Sequence, residues 1–145
     1  MTRFLYDAAV FVYAYGAEHR YAEPCRAIVE LAGAGELRGE ASADLVQELM
    51  HQRARRTGDR SRAADEAAAA AGVCELHEVR PEDIFRALEL FATTERMGAR
   101  DAVFAAVALN RGIDRILSPD RAFDEVPGLM RVDPADRGAV EELAA

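Results

Sequence analysis

The chain has 145 residues, half of them apolar and 30% charged, with a formal net charge of −8 at pH 7. This size and balance predict a single domain over residues 1–145 and exclude a disordered chain, which lacks the apolar residues needed to offset ordering entropy. The negative charge argues against a protein that holds nucleic acid by bulk charge, because such proteins are usually basic. All 18 basic residues are arginine. A phosphate partner would therefore need a local arginine patch or a bound cation.

The first half of the chain alternates between predicted strands and helices. Hydrophobic spacing, glycines and capping residues predict a strand over 3–7, a helical segment over 8–15, a helix from Pro24 to Gly33, a weak strand over 37–41, a helix capped by Ser42 and closed by Gly58, and a helix over 60–71. The first of these strands ends on Asp7.

The second half repeats this alternation. The predicted elements are a strand over 73–79, a helix that starts at Pro81 and continues through Ile84, Phe85, Leu88 and Phe91, a buried helix over 101–110, a strand over 115–117, a turn over 118–120, a strand over 129–132 and a short helix in the tail from 133 onward. Strands that alternate with helices indicate an α/β fold, with a parallel sheet of four to five strands flanked by helices on both faces. In such sheets the active crevice lies outside the carboxyl ends of the strands.

The sequence offers few signs of export or of a membrane. Cys25 and Cys74 are too few for a disulfide framework, and neither has a neighbour at zinc-ligand spacing. The apolar run Ala8–Tyr15 is too short for a signal-peptide core, and no stretch of about 18 apolar residues exists. We therefore expect a reduced, cytoplasmic protein without a membrane partner.

Four acids lie at or near predicted element boundaries, namely Asp7, Glu48, Asp101 and Asp120. Three of them should converge on the carboxyl edge of the sheet. Crowded carboxylates raise one another's pKa, and a divalent cation with oxygen ligands, Mg²⁺ or Mn²⁺, would resolve the conflict. Each acid also has a plain alternative, as a helix cap, a turn residue or a solvated surface acid. Helical spacing places Glu48 near the polar side of its helix, so periodicity does not separate it from a surface acid.

Several blocks of sequence resemble one known family over nearly the whole chain. The blocks are FLYD at 4–7, ADLVQEL at 43–49, GARDAVFAAVAL at 98–109, ILSPDRAFD at 116–124 and PGL at 127–129. In order and separation they resemble a PIN-domain protein, most closely a VapC-type toxin ribonuclease. The two long blocks in the second half are the specific ones.

The resemblance implies an activity and a set of partners. It implies that Asp7, Glu48, Asp101 and Asp120 are catalytic and bind one or two Mg²⁺ or Mn²⁺ ions. The implied reaction is endonucleolytic hydrolysis of single-stranded or looped RNA. The resemblance further implies a homodimer and a cognate antitoxin that inserts a C-terminal segment near the site.

Residues around the four acids partly depart from the family pattern. Ala8 and Ala9 stand where the family usually has a hydroxyl residue that supports the acids. Ser118 replaces the commoner threonine but keeps the hydroxyl, so we expect it to support the site. Asp124 is expected either to assist as a fifth acid or to lie on the surface.

One dense basic segment runs from His51 to Arg62, just after Glu48. It is interpreted either as an RNA-backbone patch, with Arg53 and Arg56 as contacts, or as a solvated helix end. Arg100 is expected either to orient a phosphate or to pair with the acids. For the alternating aromatics Phe11, Tyr13 and Tyr15, packing in the core or in a dimer is favoured over base stacking.

Two other functions stay open at this point. The first is a catalytically weak PIN-like module that acts through dimer or antitoxin binding, which the loss of hydroxyls at Ala8 and Ala9 motivates. The second is a housekeeping nuclease in RNA processing that has no antitoxin.

Overall fold

A computed structural model describes residues 2–144, which form a five-stranded sheet with helices around it. The strands are β1 (Leu5–Tyr6), β2 (Gly39–Ser42), β3 (Cys74–His77), β4 (Arg115–Leu117) and β5 (Met130–Val132). The helices are α1 (Ala8–Tyr15), α2 (Ala22–Gly33), α3 (Asp44–Thr57), α4 (Arg60–Gly72), α5 (Pro81–Thr93), α6 (Ala99–Asn110) and α7 (Arg137–Ala144), and a 3-10 turn covers Arg121–Glu125.

The strands run parallel in the order β3-β2-β1-β4-β5, with β1 at the centre. Leu5 pairs with Glu40 on one side and with Ile116 on the other. The chain builds outward from β1 to β3 and then crosses to the other side of β1 with β4, so the strand order reverses between β1 and β4. Such a reversal opens a crevice beyond the carboxyl ends of the two strands, where ligands bind in α/β sheets.

Both faces of the sheet are covered, as the alternating pattern predicts. Successive residues of a strand point to opposite faces, and every residue of β1 and β2 is buried. At the centre, Tyr6 packs between Phe4 and Phe11, with ring centroids 5.0 Å and 5.1 Å away. A Cβ on Gly39 would lie 2.0 Å from the Tyr6 ring, so β2 can approach β1 only with glycine at that position.

The signals for helix ends are confirmed at several positions. Pro81 is the first residue of α5, and Asp83 accepts a hydrogen bond of 2.8 Å from the Arg80 backbone N–H. Gly58 and Gly112 follow α3 and α6 with left-handed φ values of 67° and 71°, a conformation that glycine adopts without strain.

One local feature differs from expectation. Ser42 does not cap α3, because it is the last residue of β2 and Ala43 takes the N-cap position. In α5 the large apolar residues Phe85 and Leu88 are 66% and 61% exposed, while Ala87 and Leu90 are buried. Among residues 2–144, no helix combines the length and the apolar character needed to cross a membrane.

Candidate active site

The four acids that the sequence singles out line one cleft of about 1270 Å³ beyond the carboxyl ends of β1 and β4. Each comes from a different part of the fold. Asp7 joins β1 to α1, and Asp120 follows β4. Glu48 and Asp101 lie near the starts of α3 and α6. The reversal of strand order thus brings together acids that are far apart in the sequence.

Asp7 is buried, with 4% of its surface exposed. The Ser118 hydroxyl donates to its Oδ2 at 2.6 Å and accepts a hydrogen bond of 3.0 Å from the Asp120 backbone N–H. Burial raises the pKa of Asp7 to about 6, although the Ser118 hydroxyl and the nearby Ala9 N–H favour the charged form. The negative charge of Asp120 raises this pKa further. Ser118 therefore supports Asp7, in the role expected of its hydroxyl.

Asp101 is half-buried in the first turn of α6 and faces the other three acids. Burial first, and then the negative charges of Asp7 and Asp120, raise the pKa of Asp101 to about 8. A hydrogen bond with Asp120 and the charge of Glu48 act in the same direction. Without a cation, this carboxyl therefore holds a proton near neutral pH.

Glu48 is buried, with 8% of its side chain exposed. It therefore does not lie on the solvated face of its helix, which spacing alone left open. Arg100 Nε lies 2.6 Å from Oε2 of Glu48, and Gln52 also contacts this carboxylate. Of the two roles considered for Arg100, the structure shows the ion pair, and because the Arg100 side chain is 64% exposed it also faces solvent.

The donor set of this centre fits a hard divalent cation. The four side chains offer only carboxylate oxygens, the ligands that Mg²⁺ and Mn²⁺ prefer. Arg100 pairs with Glu48, but Asp7 and Asp101 have no cationic side chain among their recorded partners in residues 2–144. Burial first, and then the charges of the neighbouring acids, raise the pKa values of Asp7 and Asp101, so a bound cation would stabilise their charged forms.

A second group of ligating side chains lies elsewhere, at the β2–β3 edge. Single ligand atoms of Glu40, Glu75 and His77 lie within 4.8 Å of one another. Arg3 Nη2 lies 2.7 Å from Oε1 of Glu40, and His77 Nε2 lies 2.7 Å from the same oxygen. The pKa of Glu40 is lowered, chiefly by the hydrogen bond from Arg3. The charge of this group is therefore already largely balanced.

The basic segment divides into a structural part and an exposed part. Arg53 is only 5% exposed, and its Nε lies 2.6 Å from Oε2 of Glu66 while its Nη2 donates to the Tyr15 carbonyl. Arg53 also lines the main cleft, but its charge is paired inside the fold, so an RNA contact by Arg53 stays a prediction. Arg56 is exposed and borders both the main cleft and a smaller one of about 380 Å³, which Glu48 and Arg100 also line.

Asp124 does not line the cleft. Its carboxylate accepts a hydrogen bond of 3.0 Å from Arg131 Nε, and Arg131 Nη1 in turn donates to the Ser118 carbonyl. Of the two roles considered for Asp124, the structure favours the surface ion pair. Asp124 is thus linked to the loop after β4 through Arg131.

Sequence reasoning missed an aromatic group at the far end of the cleft. Tyr13 from α1 and His19 and Tyr21 from the following loop line the same cavity as the acids. The His19 ring stacks on Tyr13, with centroids 4.6 Å apart and an interplanar angle of 23°. Alternation directed attention to Phe11, Tyr13 and Tyr15, but His19 and Tyr21 lie beyond the helix, where periodicity gives no signal.

Comparison with known proteins agrees with this geometry. A family model described as PIN domain matches residues 4–129. Ribonuclease VapC7 of Mycobacterium tuberculosis is 37% identical over 139 residues, which cover 94% of this chain and 95% of that protein. Two solved structures are similar at the level of the fold. The crystal structure of VapBC2 from Rickettsia felis, bound to a DNA fragment from its promoter, has a TM-score of 0.68 and 15% identity, and covers 91% of this chain and 98% of that one.

The second structure is Mycobacterium tuberculosis VapC20, described as a sarcin-ricin loop cleaving toxin. Its TM-score is 0.64 at 20% identity, and the match covers 78% of this chain and 86% of that one. The family match and the full-length relative settle the affiliation that the sequence blocks suggested. The chain therefore belongs to the PIN domain family and, within it, groups with the VapC proteins.

Proposed function

We propose that this protein is a metal-dependent endoribonuclease and the toxin of a toxin–antitoxin pair. The observation that carries the proposal is the convergence of four carboxylates on one cleft at the β1–β4 switch point. The names of the relatives, a ribonuclease and a sarcin-ricin loop cleaving toxin, support RNA as the substrate. We further propose a cytoplasmic location, where a nuclease of this kind would meet the RNA of the cell.

Asp7, Glu48, Asp101 and Asp120 are the residues that would hold the cation. Mg²⁺ or Mn²⁺ bound there would lower the pKa of an attacking water and stabilise charge on the phosphoryl oxygens. Ser118 fixes the orientation of Asp7 through its 2.6 Å hydrogen bond. Asp101 must release its proton before it can act as a ligand, so metal affinity rises with pH.

The exposed arginines give the RNA backbone a place to bind. Arg100 and Arg56 border the smaller cleft beside Glu48, and Arg55 also lines it. A guanidinium can bind a phosphate through two parallel hydrogen bonds. These residues thus supply locally the positive charge that the chain lacks overall.

The proposed activity is tested with purified protein and a pool of single-stranded RNA. Cleavage is expected with Mg²⁺ or Mn²⁺ and should stop when a chelator is added. An inactive wild-type protein under both metals would favour the alternative of a PIN-like module that works through binding. Sequencing of the product ends then identifies the cut site.

An antitoxin partner is proposed from the solved VapBC structure, which the fold resembles. The uncompensated carboxylates of the cleft would accept a basic segment of such a partner, since opposite charges are favoured in a desolvated site. Expression of the chain alone should arrest growth, and co-expression with the product of a small neighbouring reading frame should relieve the arrest. If the protein cleaves RNA but its expression does not arrest growth and no neighbouring reading frame encodes a partner, the housekeeping nuclease is favoured.

We also propose that two copies associate through α5. Ile84, Phe85, Leu88 and Phe91 are 42% to 66% exposed and lie on one side of the helix at spacings of one, four and seven residues. A contiguous exposed apolar surface of this kind marks an interaction site. Light scattering should give the mass of a dimer for wild type and of a monomer for Phe85→Glu/Leu88→Glu. If that variant stayed dimeric, these four residues of α5 would not form the dimer interface.

A further inference from the structure

We propose that the exposed face of the His19 ring, backed by Tyr13 and Tyr21, is a stacking site for one nucleobase of the bound RNA. This inference deepens the proposed ribonuclease function and rests on it. It assigns a role to a part of the cleft that the carboxylates do not occupy.

The three stacked rings of Tyr13, His19 and Tyr21, which we call the platform, line the same cavity as the four carboxylates. Asp7 lies directly before α1, and Tyr13 lies six positions further along the chain. At 1.5 Å per residue this separation is roughly 9 Å along the helix axis. A base stacked on the platform would therefore belong to a nucleotide that neighbours the cleaved phosphodiester bond, while the reacting phosphate itself would lie at the carboxylates.

The ring is held in place before any ligand arrives. His19 stacks on Tyr13 at 4.6 Å and lies nearly parallel to Tyr21, with an angle of 16° and centroids 6.1 Å apart. The Tyr21 backbone N–H donates to His19 Nδ1 at 3.2 Å. A ring already held by two neighbouring rings and a hydrogen bond loses little conformational entropy when a base stacks on its free face.

The same hydrogen bond sets the chemistry of the free edge. Because Nδ1 accepts a hydrogen bond, the proton of the neutral tautomer lies on Nε2. Nε2 makes no recorded hydrogen bond within residues 2–144 and can donate to a base or a phosphate oxygen. The platform thus offers a flat surface and one donor, which suits stacking with modest sequence preference.

A charged group lies next to the platform. The Arg20 guanidinium carbon is 5.0 Å from the centre of the Tyr21 ring, and both residues line the cleft. Glu18, the acid nearest in sequence, is paired with Arg26. The platform therefore presents an aromatic face beside a cation, a combination that binds single-stranded nucleic acid.

Burial separates this site from ordinary core packing. Tyr21 is 8% exposed and its hydroxyl donates to Asp133, so Tyr21 serves as a base for the stack. His19 and Arg20 are exposed on the cleft side of the loop. A purely structural stack would have no need of an outer ring open to solvent at the edge of an active cleft.

The test removes the His19 ring and single bases of the RNA, first separately and then together, and compares the losses in affinity. Fluorescein-labelled oligo-A, oligo-C, oligo-G and oligo-U RNAs are titrated with the full chain carrying Asp101→Asn, so that binding is measured without cleavage. Each oligonucleotide is also made with one abasic position, moved stepwise along the strand. Affinity is read by fluorescence anisotropy in the presence of Mg²⁺.

With His19 intact, the abasic residue at one position should weaken binding about tenfold, the usual effect of losing one base–aromatic stack. With His19→Ala in addition, intact RNA should bind about tenfold more weakly, and the abasic residue should cause no further loss. His19→Phe should retain the dependence on the base, because it keeps the flat ring. His77→Ala is the matched control, since this histidine lies at the β2–β3 edge and lines neither cleft. It should leave the dependence on the base unchanged.

The outcomes separate this inference from the proposed function. If wild type cleaves RNA but His19→Ala keeps the full dependence on the base, the platform is wrong and the nuclease stands. If the coupling appears while wild type cleaves no RNA, the platform stands as a binding site and the nuclease is wrong. If the protein neither binds nor cleaves RNA, both are wrong.

Discussion

Asp83 and Asp101 occupy the same local position in two neighbouring helices, yet their surroundings differ. Each is the third residue of its helix, in α5 and α6 respectively, and the two helices pack together. Asp83 is fully buried, and Arg111 Nη1 lies 3.0 Å from its Oδ1 while Asn110 donates to the same oxygen at 2.8 Å. Asp101 faces Asp7 and Asp120 instead.

These surroundings shift the pKa values of the two carboxyl groups in opposite directions. The pKa of Asp83 is held below its ordinary value of 3.8, because hydrogen bonds from Arg111, the Arg80 backbone and Asn110 outweigh the cost of burial. The pKa of Asp101 is raised to about 8 by burial and by like charges. The fold thus satisfies one acid internally and leaves the other to be satisfied by a ligand.

Removal of the Asp101 charge should have the largest effect. Asp101→Asn is expected to lower RNA cleavage by more than about 10³-fold, because loss of a metal ligand removes several kcal/mol of transition-state stabilisation. Initial cleavage rates with saturating Mg²⁺ measure this loss. The metal-free variant should unfold at the same temperature as wild type or higher, since a repulsive group has been removed. Retained cleavage would show that Asp101 is not a ligand.

Breaking the ion pair between Asp83 and Arg111 should lower the stability of the protein and leave catalysis unchanged. Arg111→Ala is expected to lower the free energy of unfolding by about 3–5 kcal/mol, because it leaves a buried carboxylate without its partner. Urea denaturation measures the change. Arg96→Ala is the control, since its pair with Glu125 is largely exposed and such pairs contribute about 1 kcal/mol or less. Equal losses in the two variants would show that the buried Asp83–Arg111 pair contributes no more to stability than an exposed pair.

Ser118 should tune the centre without abolishing it. Ser118→Ala is expected to weaken Mn²⁺ affinity and cleavage by about 10- to 100-fold, the usual cost of losing a group that orients a ligand. Titration calorimetry of Mn²⁺ and cleavage rates measure the two effects. Ser118→Thr keeps the hydroxyl and should restore most of both. If Ser118→Ala behaved like wild type, the hydrogen bond to Asp7 would have no functional weight.

The pH dependence of stability should show the two acids with opposite sign. A raised pKa in the folded state means that Asp101 stabilises the protein below about pH 4 and that this contribution is lost as the pH rises toward 8. A lowered pKa gives Asp83 the reverse behaviour, with stability lost as the pH falls below 3.8.

In chelator, melting temperatures of wild type should therefore fall relative to Asp101→Asn between pH 5 and 8. The difference should widen steadily from pH 5 to pH 8, as Asp101 loses its proton in the folded wild type. Excess Mg²⁺ should remove it. A gap that is independent of pH would indicate that Asp101 does not titrate in this range.

Sequence patterns predicted the ends of helices and strands well where a residue type acts only on its own stretch of backbone. Pro81 starts a helix because its missing N–H costs nothing there, and Gly58 ends one because it alone adopts the left-handed conformation without strain. The strand at 115–117 has the bounds that were predicted. These signals act over a few residues and do not depend on tertiary contacts.

The same patterns could not determine what each side chain faces. Glu48 and Arg53 read as polar helix residues, yet both are buried, one against the cleft and the other against Glu66. Phe85 was predicted only to continue its helix, and its 66% exposure could not be inferred from that pattern. Burial depends on which helices pack together, so neither helical periodicity nor residue type could have shown it. The four acids were found because the predicted topology placed strand ends at one edge and because the sequence resembles a known family.

The hydrogen bond between Ser118 and Asp7 joins residues 111 positions apart. A chain emerging from the ribosome presents Asp7 first, 111 positions before it presents Ser118. Long-range contacts of this kind form late, after the intervening elements have folded. The carboxylate centre should therefore arise in one step, once β4 and the residues that follow it have been made. Translation that stops early should yield fragments that cannot harm the cell that makes them.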